Sequence, residues 1–298
     1  MEDERYTTMI FTSSEWLYII ASMGLSTELM LSNPYKGFSR EALQQELVRG
    51  RRGLEEKRML ERTIHKGWEL DGRITALMNV IAKADYTLSI ITLSAPASFR
   101  QITYFFMKSQ AISMTQESRY YHIGIYQGEK AVLNVLLNFL GVAQQLSQNL
   151  NPIRLPTENF YNLIFTLWRD PEHAVTTLCQ AGLSDEEAQS SATVVTKSES
   201  VSILTPEFKE QPGKTLPRSY LLSGKTFLYW GETDSADSDF IQLTPLPFSH
   251  TAITKAPDFD ETILFDPTTP NVTANIIRLI KRGEFKATKS SHEDTVFQ

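Results

Sequence analysis

The residue types that most often carry catalysis or metal binding are few in this chain and lie far apart. No two histidines have metal-ligand spacing, so the sequence predicts no metal site. The five histidines are His65, His122, His173, His250 and His292. His122 alternates with Tyr120 and Tyr126 along one predicted strand. It could act as a general base, but a half-buried or exposed sheet residue is the interpretation that its surroundings favour.

The other candidate groups also fit structural roles better than chemical ones. Cys179 is the only cysteine and lies on the apolar stripe of a predicted helix, which is typical of a buried structural thiol. The glycine patterns of phosphate loops and nucleophile elbows are absent. Asp234, Asp237 and Asp239 loosely follow calcium-loop spacing, but the glycine and glutamate of that loop are missing. The sequence therefore predicts a non-enzyme without catalytic, metal-binding or cofactor-binding residues.

A run of basic residues at positions 49–58 raises the alternative of nucleic-acid binding. The run is interleaved with Glu46, Glu55 and Glu56, and the whole chain has a net charge of −6. Alternating charges at helical spacing are typical of a solvated helix face. We expect no nucleic-acid partner, and a DNA-binding regulator that uses the helices of residues 39–61 stays as an alternative.

Length and hydropathy predict two domains or pseudo-domains with a sizeable core. The chain has 298 residues, of which 41% are hydrophobic. Its most apolar stretch, Ala131 to Val142, is interrupted by Asn134 and Asn138 and is too short to span a bilayer. The first five residues include three acidic ones and precede no apolar run typical of a secretory signal. We expect a cytoplasmic protein without a membrane partner.

Apolar periodicity and capping residues predict the helices. In the first half, helices are predicted after Ser14, over Arg40 to Glu61 with interruptions around Gly50 and Gly53, and over Asp71 to Ala84. A further set of helical segments is predicted at Lys130–Leu140, after Thr157, at Asp170-Pro171, at the Ser184/Glu187 capping box, and at Asn271–Arg282.

Alternating apolar and β-branched residues predict the strands. The predicted strands are Tyr86–Leu93, Gln101–Lys108, Ala111–Thr115, Arg119–Gln127, Val201–Leu204, Arg218–Leu222, Lys225–Trp230 and Asp239–Thr244, with a further edge strand at Glu261–Phe265. Ser223-Gly224 predicts a two-residue hairpin turn, because glycine accepts the positive φ that such a turn needs.

The order of these elements indicates an internal duplication. Leu70–Ile91 can be laid without gaps against Leu183–Leu204, and each segment leads into a short meander. The predicted fold class is α+β: a pseudo-duplicated antiparallel meander sheet flanked by helices, with a quasi-two-fold architecture. The predicted organisation is an N-terminal half at 1–142, a junction at 143–156, a C-terminal half at 157–285 and a flexible tail at 286–298.

This order of elements resembles a known protein family. A helix at Ser14–Leu25 precedes charged helices, the segment Gly67–Met78, the strand Tyr86–Leu93, a meander and a buried helix, and the pattern then recurs. Over residues 10–283 it resembles the EspG family, cytosolic chaperones of ESX (type VII) secretion. The resemblance implies a pseudo-two-fold α+β fold around a central sheet, and binding of the apolar tip of a helical PE–PPE-type secretion substrate.

These observations favour a cytosolic chaperone or adaptor that holds a helical protein partner. Aromatic side chains recur on the predicted meander strands, and some of them are expected to face outward, where aromatic residues favour binding. The predicted partner-binding residues are Tyr120, His122, Phe227, Tyr229 and Trp230. The alternative is an enzyme whose site assembles from distant residues, with His122 and an acidic partner as its centre. The sequence leaves the oligomeric state open.

Overall fold

The fold is seen in a computed structural model of the chain, which describes most residues up to 246 and a few beyond. The described residues are 7–26, 30–31, 33–63, 67–84, 86–96, 98–107, 110–127, 132, 135–136, 140, 150–208, 217–225, 227–233, 239–246, 275–276 and 279. The strands are β1 Thr7–Thr12, β2 Leu60–Thr63, β3 Gly67–Leu70, β4 Tyr86–Ser94, β5 Ser98–Met107, β6 Gln110–Glu117, β7 Tyr120–Gln127, β8 Ile153–Pro156, β9 Ser198–Phe208, β10 Ser219–Gly224, β11 Leu228–Glu232 and β12 Phe240–Pro245. The α-helices within the described residues are α1 Ser13–Ser22, α2 Arg40–Glu56, α3 Gly72–Lys83, α4 Phe160–Arg169, α5 Ala174–Gln180 and α6 Asp185–Val195.

Ten of these strands form one sheet, in which the five strands from each edge to the centre follow an equivalent order. The order is β1-β7-β6-β5-β4-β9-β10-β11-β12-β8, and β2 and β3 form a separate two-stranded sheet. In each half the first strand of the half lies at an edge, and the four-strand meander runs from the centre back towards that edge. The predicted pseudo-duplicated α+β fold is therefore confirmed.

The repeat extends to the helix that precedes each meander. A shift of 113 residues carries α3 onto α6 and β4 onto β9. The same shift carries the N-cap Asp71, which accepts from Arg73 N–H, onto the N-cap Ser184, which accepts from Glu187 N–H. The correspondence of Leu70–Ile91 with Leu183–Leu204 thus holds for helix, cap and strand, although few residues are identical.

The chain divides into two compact units. Unit 1 comprises Met1–Thr87 and Gln101–Gly128, and unit 2 comprises Leu88–Arg100 and Glu129–Gln298. The halves at 1–142 and 157–285 remain a prediction, as does the junction at 143–156, at whose end β8 lies.

In unit 1, helices α1, α2 and α3 pack on one face of the strands β1, β7, β6 and β5. The ring of Trp16 lies at the centre of this core, 5.5 Å from Tyr121 and 5.8 Å from Phe11 between ring centroids. All three side chains are fully buried. In unit 2, the apolar stripes of α4, α5 and α6 pack with Tyr220, Tyr229 and their strand neighbours in a second core.

Most local signals in the sequence are confirmed. Ser39 caps α2 by accepting from Ala42 N–H, the Ser184/Glu187 capping box opens α6, and Asp170 caps the short 3₁₀ turn Pro171–His173 before α5. Gly24 and Gly182 have φ of 64° and 97°, as the predicted helix ends require. The four strands of the first meander are also confirmed, with boundaries shifted by up to three residues.

Several predictions at the N-terminus of each half are wrong. The strand β1 and the hairpin β2–β3 were not predicted, and Glu61 lies in β2 rather than in a helix. Thr12, not Ser14, caps α1. α4 begins after Asn159, whose φ is 51°, so Thr157 is not its cap.

The predicted hairpin turn at Ser223-Gly224 is also wrong. β10 continues through Gly224, and Ser223 pairs with Leu228 on β11. Gly224 lacks a positive φ and donates its N–H to Phe227 O at 3.0 Å. It is a glycine because a Cβ would overlap the Phe227 ring.

Some predicted segments lie wholly or largely outside the described residues. These are the strand Glu261–Phe265, the tail 286–298, and positions 234 and 237 of the aspartate cluster. Of the helices predicted at Lys130–Leu140 and Asn271–Arg282, the structure describes Val132, Val135, Leu136, Asn275, Ile276 and Leu279 as helical.

The predicted interruption of α2 at Gly50 and Gly53 is wrong because these glycines serve packing. A Cβ at Gly50 would overlap the carbonyl oxygen of Ser14, and one at Gly53 would overlap the Glu15 carboxylate. The two glycines therefore let α1 and α2 approach closely within a continuous helix.

Replacing Gly50 with alanine is expected to destabilise the protein although alanine has the higher helix propensity. Backbone overlap with α1 should lower the free energy of unfolding by about 1–3 kcal/mol, measured by urea denaturation. Gly72→Ala is the matched control, because its Cβ would meet nothing within 4 Å and its stability should change by no more than about 0.5 kcal/mol. Equal effects of the two variants would contradict the close-approach argument.

Candidate partner-binding surface

The five predicted partner-binding residues lie on two strands in different units. Tyr120 and His122 lie on β7 in unit 1. Tyr229 and Trp230 lie on β11 in unit 2, and Phe227 immediately precedes that strand. The two groups differ in burial and in contacts.

The β7 group belongs to an exposed patch at one edge of the sheet. Ile10 on β1 pairs with His122, and Thr12 pairs with Tyr120. Tyr120 is 51% exposed and Ile10 is 47% exposed. Phe11 follows Ile10 on β1 and Tyr121 follows Tyr120 on β7. Both point to the opposite face of the sheet and are buried in the core of unit 1. We call Ile10, Tyr120 and His122 the β7 patch.

His122 has an acidic neighbour, but the geometry is loose. Its Nε2 lies 3.9 Å from Oε2 of Glu117, which is longer than a hydrogen bond. The Glu117 side chain is 78% exposed, so water screens any attraction between the two groups. The arrangement suits the polar rim of a binding surface better than the activation of a base.

The β11 group is mostly buried. Tyr229 and Trp230 are 1% and 6% exposed, so these two are not among the aromatic side chains that face outward. Because they are consecutive, they point to opposite sides of the strand, and both sides of β11 are therefore covered. Phe227 is half-buried and meets Tyr229 edge-on, with ring centroids 5.9 Å apart.

The polar atoms of these two aromatic residues differ in their partners. The Tyr229 hydroxyl donates to Asn151 O at 3.1 Å, and burial raises its pKa above the usual value. The Trp230 indole N–H has no acceptor among the described residues. A buried indole of this size contributes chiefly through packing.

The outer edge of β1 is closed by an ion pair. Lys57 Nζ donates to Ile10 O at 3.0 Å, and Thr12 N–H donates to Glu15 Oε2 at 2.7 Å. Lys57 and Glu15 also contact each other at 2.7 Å. The two side chains thus occupy main-chain groups that an added strand would otherwise use.

The outer edge of β8 is closed by a single hydroxyl. Ser191 Oγ on α6 donates to Arg154 O at 2.7 Å and accepts from Arg154 N–H at 3.3 Å. In an antiparallel strand the N–H and C=O of one residue point to the same side, so the side of Arg154 away from β12 is satisfied. At these positions the main-chain groups are not available to a further strand.

Sequence reasoning missed Ile10 and both edge closures. Ile10 was missed because β1 was not predicted, although Met9-Ile10-Phe11 flanked by threonines is a β-rich run. The edge closures join residues 47 and 37 positions apart, so no local pattern announces them.

The basic residues of α2 pair with acidic residues, as the solvated-face interpretation predicts. The pairs are Arg49–Glu46 at 2.5 Å, Arg51–Glu55 at 3.2 Å and Arg52–Glu56 at 3.0 Å.

Metal sites and membrane spans were also sought in the described part of the chain. There, no three His, Cys, Asp or Glu side chains converge as a metal site would require. None of the helices in that part combines the length and apolar character needed to cross a bilayer.

Comparison with known proteins shows a likeness to solved structures. No protein-family model and no curated protein matches the sequence. Among solved structures, the fold is similar to the Mycobacterium tuberculosis type VII secretion system chaperone EspG5, solved in complex with a PE25–PPE41 dimer. The two chains share 10% identity with a TM-score of 0.50, over 80% of this chain and 91% of that chain. At this identity the likeness concerns the fold.

Trp230→Ala and Tyr120→Ala should separate structural from surface aromatic residues. Removing the buried indole is expected to lower the free energy of unfolding by about 3–5 kcal/mol, whereas removing the exposed phenol should change it by no more than about 0.5 kcal/mol. Urea denaturation measures both. A Trp230→Ala protein as stable as the Tyr120→Ala protein would show that Trp230 is not part of the core.

Ser191→Ala should open the edge of β8 at one residue. The lost hydrogen bonds are expected to lower stability by about 1 kcal/mol and to speed hydrogen exchange of the Arg154 amide. Ser190→Ala, at an exposed neighbouring position of α6, is the control and should leave both unchanged. Unaltered exchange at Arg154 in the Ser191 variant would refute the closure.

Proposed function

We propose that this chain is a non-enzymatic chaperone or adaptor of the cytoplasm, and that it binds an apolar helical protein such as a type VII secretion substrate. The observation that carries the proposal is the likeness of its fold to EspG5, a chaperone whose structure contains a bound PE25–PPE41 dimer. The likeness spans 91% of the EspG5 chain, so it covers the architecture of nearly that whole chain rather than one motif.

The surface of unit 1 supports the same role. The β7 patch places an aliphatic and an aromatic side chain, each about half exposed, beside a histidine on one strand face. Aromatic anchors surrounded by polar groups are typical of protein interfaces. On β6, Thr115 pairs with His122 and Glu117 pairs with Tyr120, and these two polar residues would form the rim of the patch.

The closed edge of β1 supports recognition by a helix rather than by a strand. Lys57 and Glu15 occupy main-chain groups next to Ile10, so an extended segment cannot pair there. A helix needs only side-chain contacts and can lay one apolar stripe over Ile10 and Tyr120.

The proposal assigns different roles to the five predicted residues. Tyr120 and His122 would contact the partner directly. Phe227, Tyr229 and Trp230 would act through the shape of unit 2, since Tyr229 and Trp230 are buried. No nucleic acid, membrane or cofactor takes part in the proposed function.

Ile10→Glu should weaken partner binding without unfolding the protein. The tagged full chain is first used to capture its partner from native lysate, and the captured helical protein is then purified and titrated against each variant by calorimetry. Placing a carboxylate where an aliphatic side chain is buried on binding should cost about 1.5–3 kcal/mol, or roughly a ten- to hundredfold loss of affinity.

Val48→Glu is the matched control. Val48 is 49% exposed, β-branched and in the same unit, but it lies on α2 outside the β7 patch. Equal affinities of the two glutamate variants would refute the patch. The absence of any stoichiometric helical partner in the capture would count against the chaperone role itself.

A further inference from the structure

A polar cleft in unit 2 has a lining suited to a ligand. None of the five predicted partner-binding residues lines it. It has a volume of about 940 Å³ and lies among the loop after β8, the helices α4 and α5, and the ends of β10, β11 and β12. This volume falls in the range of sites that enclose metabolites or short peptides, roughly 300–1,000 Å³.

The lining combines one cation with amide and phenol groups. Arg218 is the only basic residue among the described residues that line the cleft, and Asn159, Asn162 and Gln180 line it from the helical side. Within the described part of the chain no ion pair joins the Arg218 guanidinium to a carboxylate. A guanidinium without a carboxylate partner presents a planar set of donors that matches a carboxylate ligand.

Two tyrosines lie close to this guanidinium. Burial raises the pKa of Tyr220 and of Tyr161, and the charge of Arg218 opposes the rise in both. Tyr220 is 4% exposed and lines the cleft together with Arg218. A phenol can donate its proton to a ligand oxygen, so Tyr220 adds a neutral donor to the lining that holds Arg218.

Acidic residues occupy a different part of the lining. Thr157 N–H donates to Asp239 O at 2.9 Å, which places Asp239 and the neighbouring Glu158 where the loop after β8 meets β12. Arg218 lies instead just before β10, where its O accepts from Thr233 N–H at 2.9 Å and its N–H donates to Thr233 Oγ1 at 3.3 Å. Since β11 lies between β10 and β12, the two ends are separated by two strand spacings, roughly 10 Å.

We propose that this cleft binds a carboxylate-bearing ligand of short-peptide size, with the carboxylate on Arg218 and Tyr220 and with peptide N–H groups towards Asp239 and Glu158. An extended tripeptide spans roughly 10 Å, which matches the distance between the two ends. The amide side chains of Asn159, Asn162 and Gln180 both donate and accept, as a peptide backbone requires. The source is either the C-terminus of a polypeptide or a free small carboxylate.

The first test uses the wild-type full chain and three probes: N-acetyl-trialanine with a free carboxylate, the same peptide as its C-terminal amide, and sodium acetate. Binding is followed by NMR of the Asn and Gln side-chain amides and of arginine Nε. The free acid should bind at least about tenfold more tightly than the amide. Equal binding of acid and amide, or no binding of the acid, would overturn the proposal.

The acetate arm separates the two sources. If acetate binds much more weakly than the free-acid peptide, the result supports the C-terminus of a polypeptide as the ligand. If acetate binds as tightly as the peptide, the contact between a carboxylate and Arg218 still stands, but the peptide part of the proposal is overturned.

Variants then test the assigned residue. Arg218→Gln should lose at least about tenfold in affinity for the free acid, and Arg218→Lys, which keeps the charge but not the planar donors, should fall between it and wild type. Arg169→Gln, an exposed position on α4 outside the lining, is the control and should bind as wild type does. Unchanged binding by Arg218→Gln would overturn the assignment.

The cleft and the β7 patch lie in different units. The probes therefore test this proposal and the Ile10 variant tests the proposed function, each without the other.

Discussion

The buried carboxylate of Glu15 links a helix start, a helix contact and a sheet edge in unit 1. Only 4% of its side chain is exposed, and a charge so placed is tolerated only with close partners. Lys57 Nζ and Thr12 N–H supply them, and Gly53 leaves the space that the carboxylate fills. One residue thereby caps α1, fixes its distance from α2 and closes the edge of β1.

The second half of the chain solves the same edge problem with different chemistry. Its edge strand β8 is closed by Ser191, a neutral hydroxyl that both donates to and accepts from the main chain of Arg154. A hydroxyl needs no counter-charge, so α6 can approach β8 without a buried ion pair. The two halves thus share an order of elements while different side chains occupy the main-chain groups at their edge strands.

Local sequence predicted what depends on a single turn or on strand alternation. The helix start at Asp170 and the capping box at Ser184 each join groups three residues apart, and both were predicted from type and spacing. The caps predicted at Ser14 and Thr157 lie at Thr12 and Asn159 instead. β1 and the continuity of α2 depend on partners far along the chain, since β1 pairs with β7 and Gly50 packs on Ser14. Propensity alone reads Gly50 as a break, because only the approach of α1 shows that the missing side chain is needed.

The exposure of residues on the candidate surface shows the same limit of prediction from local sequence. Alternation correctly placed Tyr120 and His122 on one strand face, but it could not tell which strands are covered on both faces. Tyr229 and Trp230 are consecutive and both buried, whereas Tyr120 is exposed and its neighbour Tyr121 is fully buried. Strand order does not decide this, since β7 and β11 both have a strand on each side, and burial of a face depends on what packs over it. Beside these exposed side chains, Ile10 O and Thr12 N–H are already bonded to Lys57 and Glu15, so a further strand finds fewer main-chain groups at this edge.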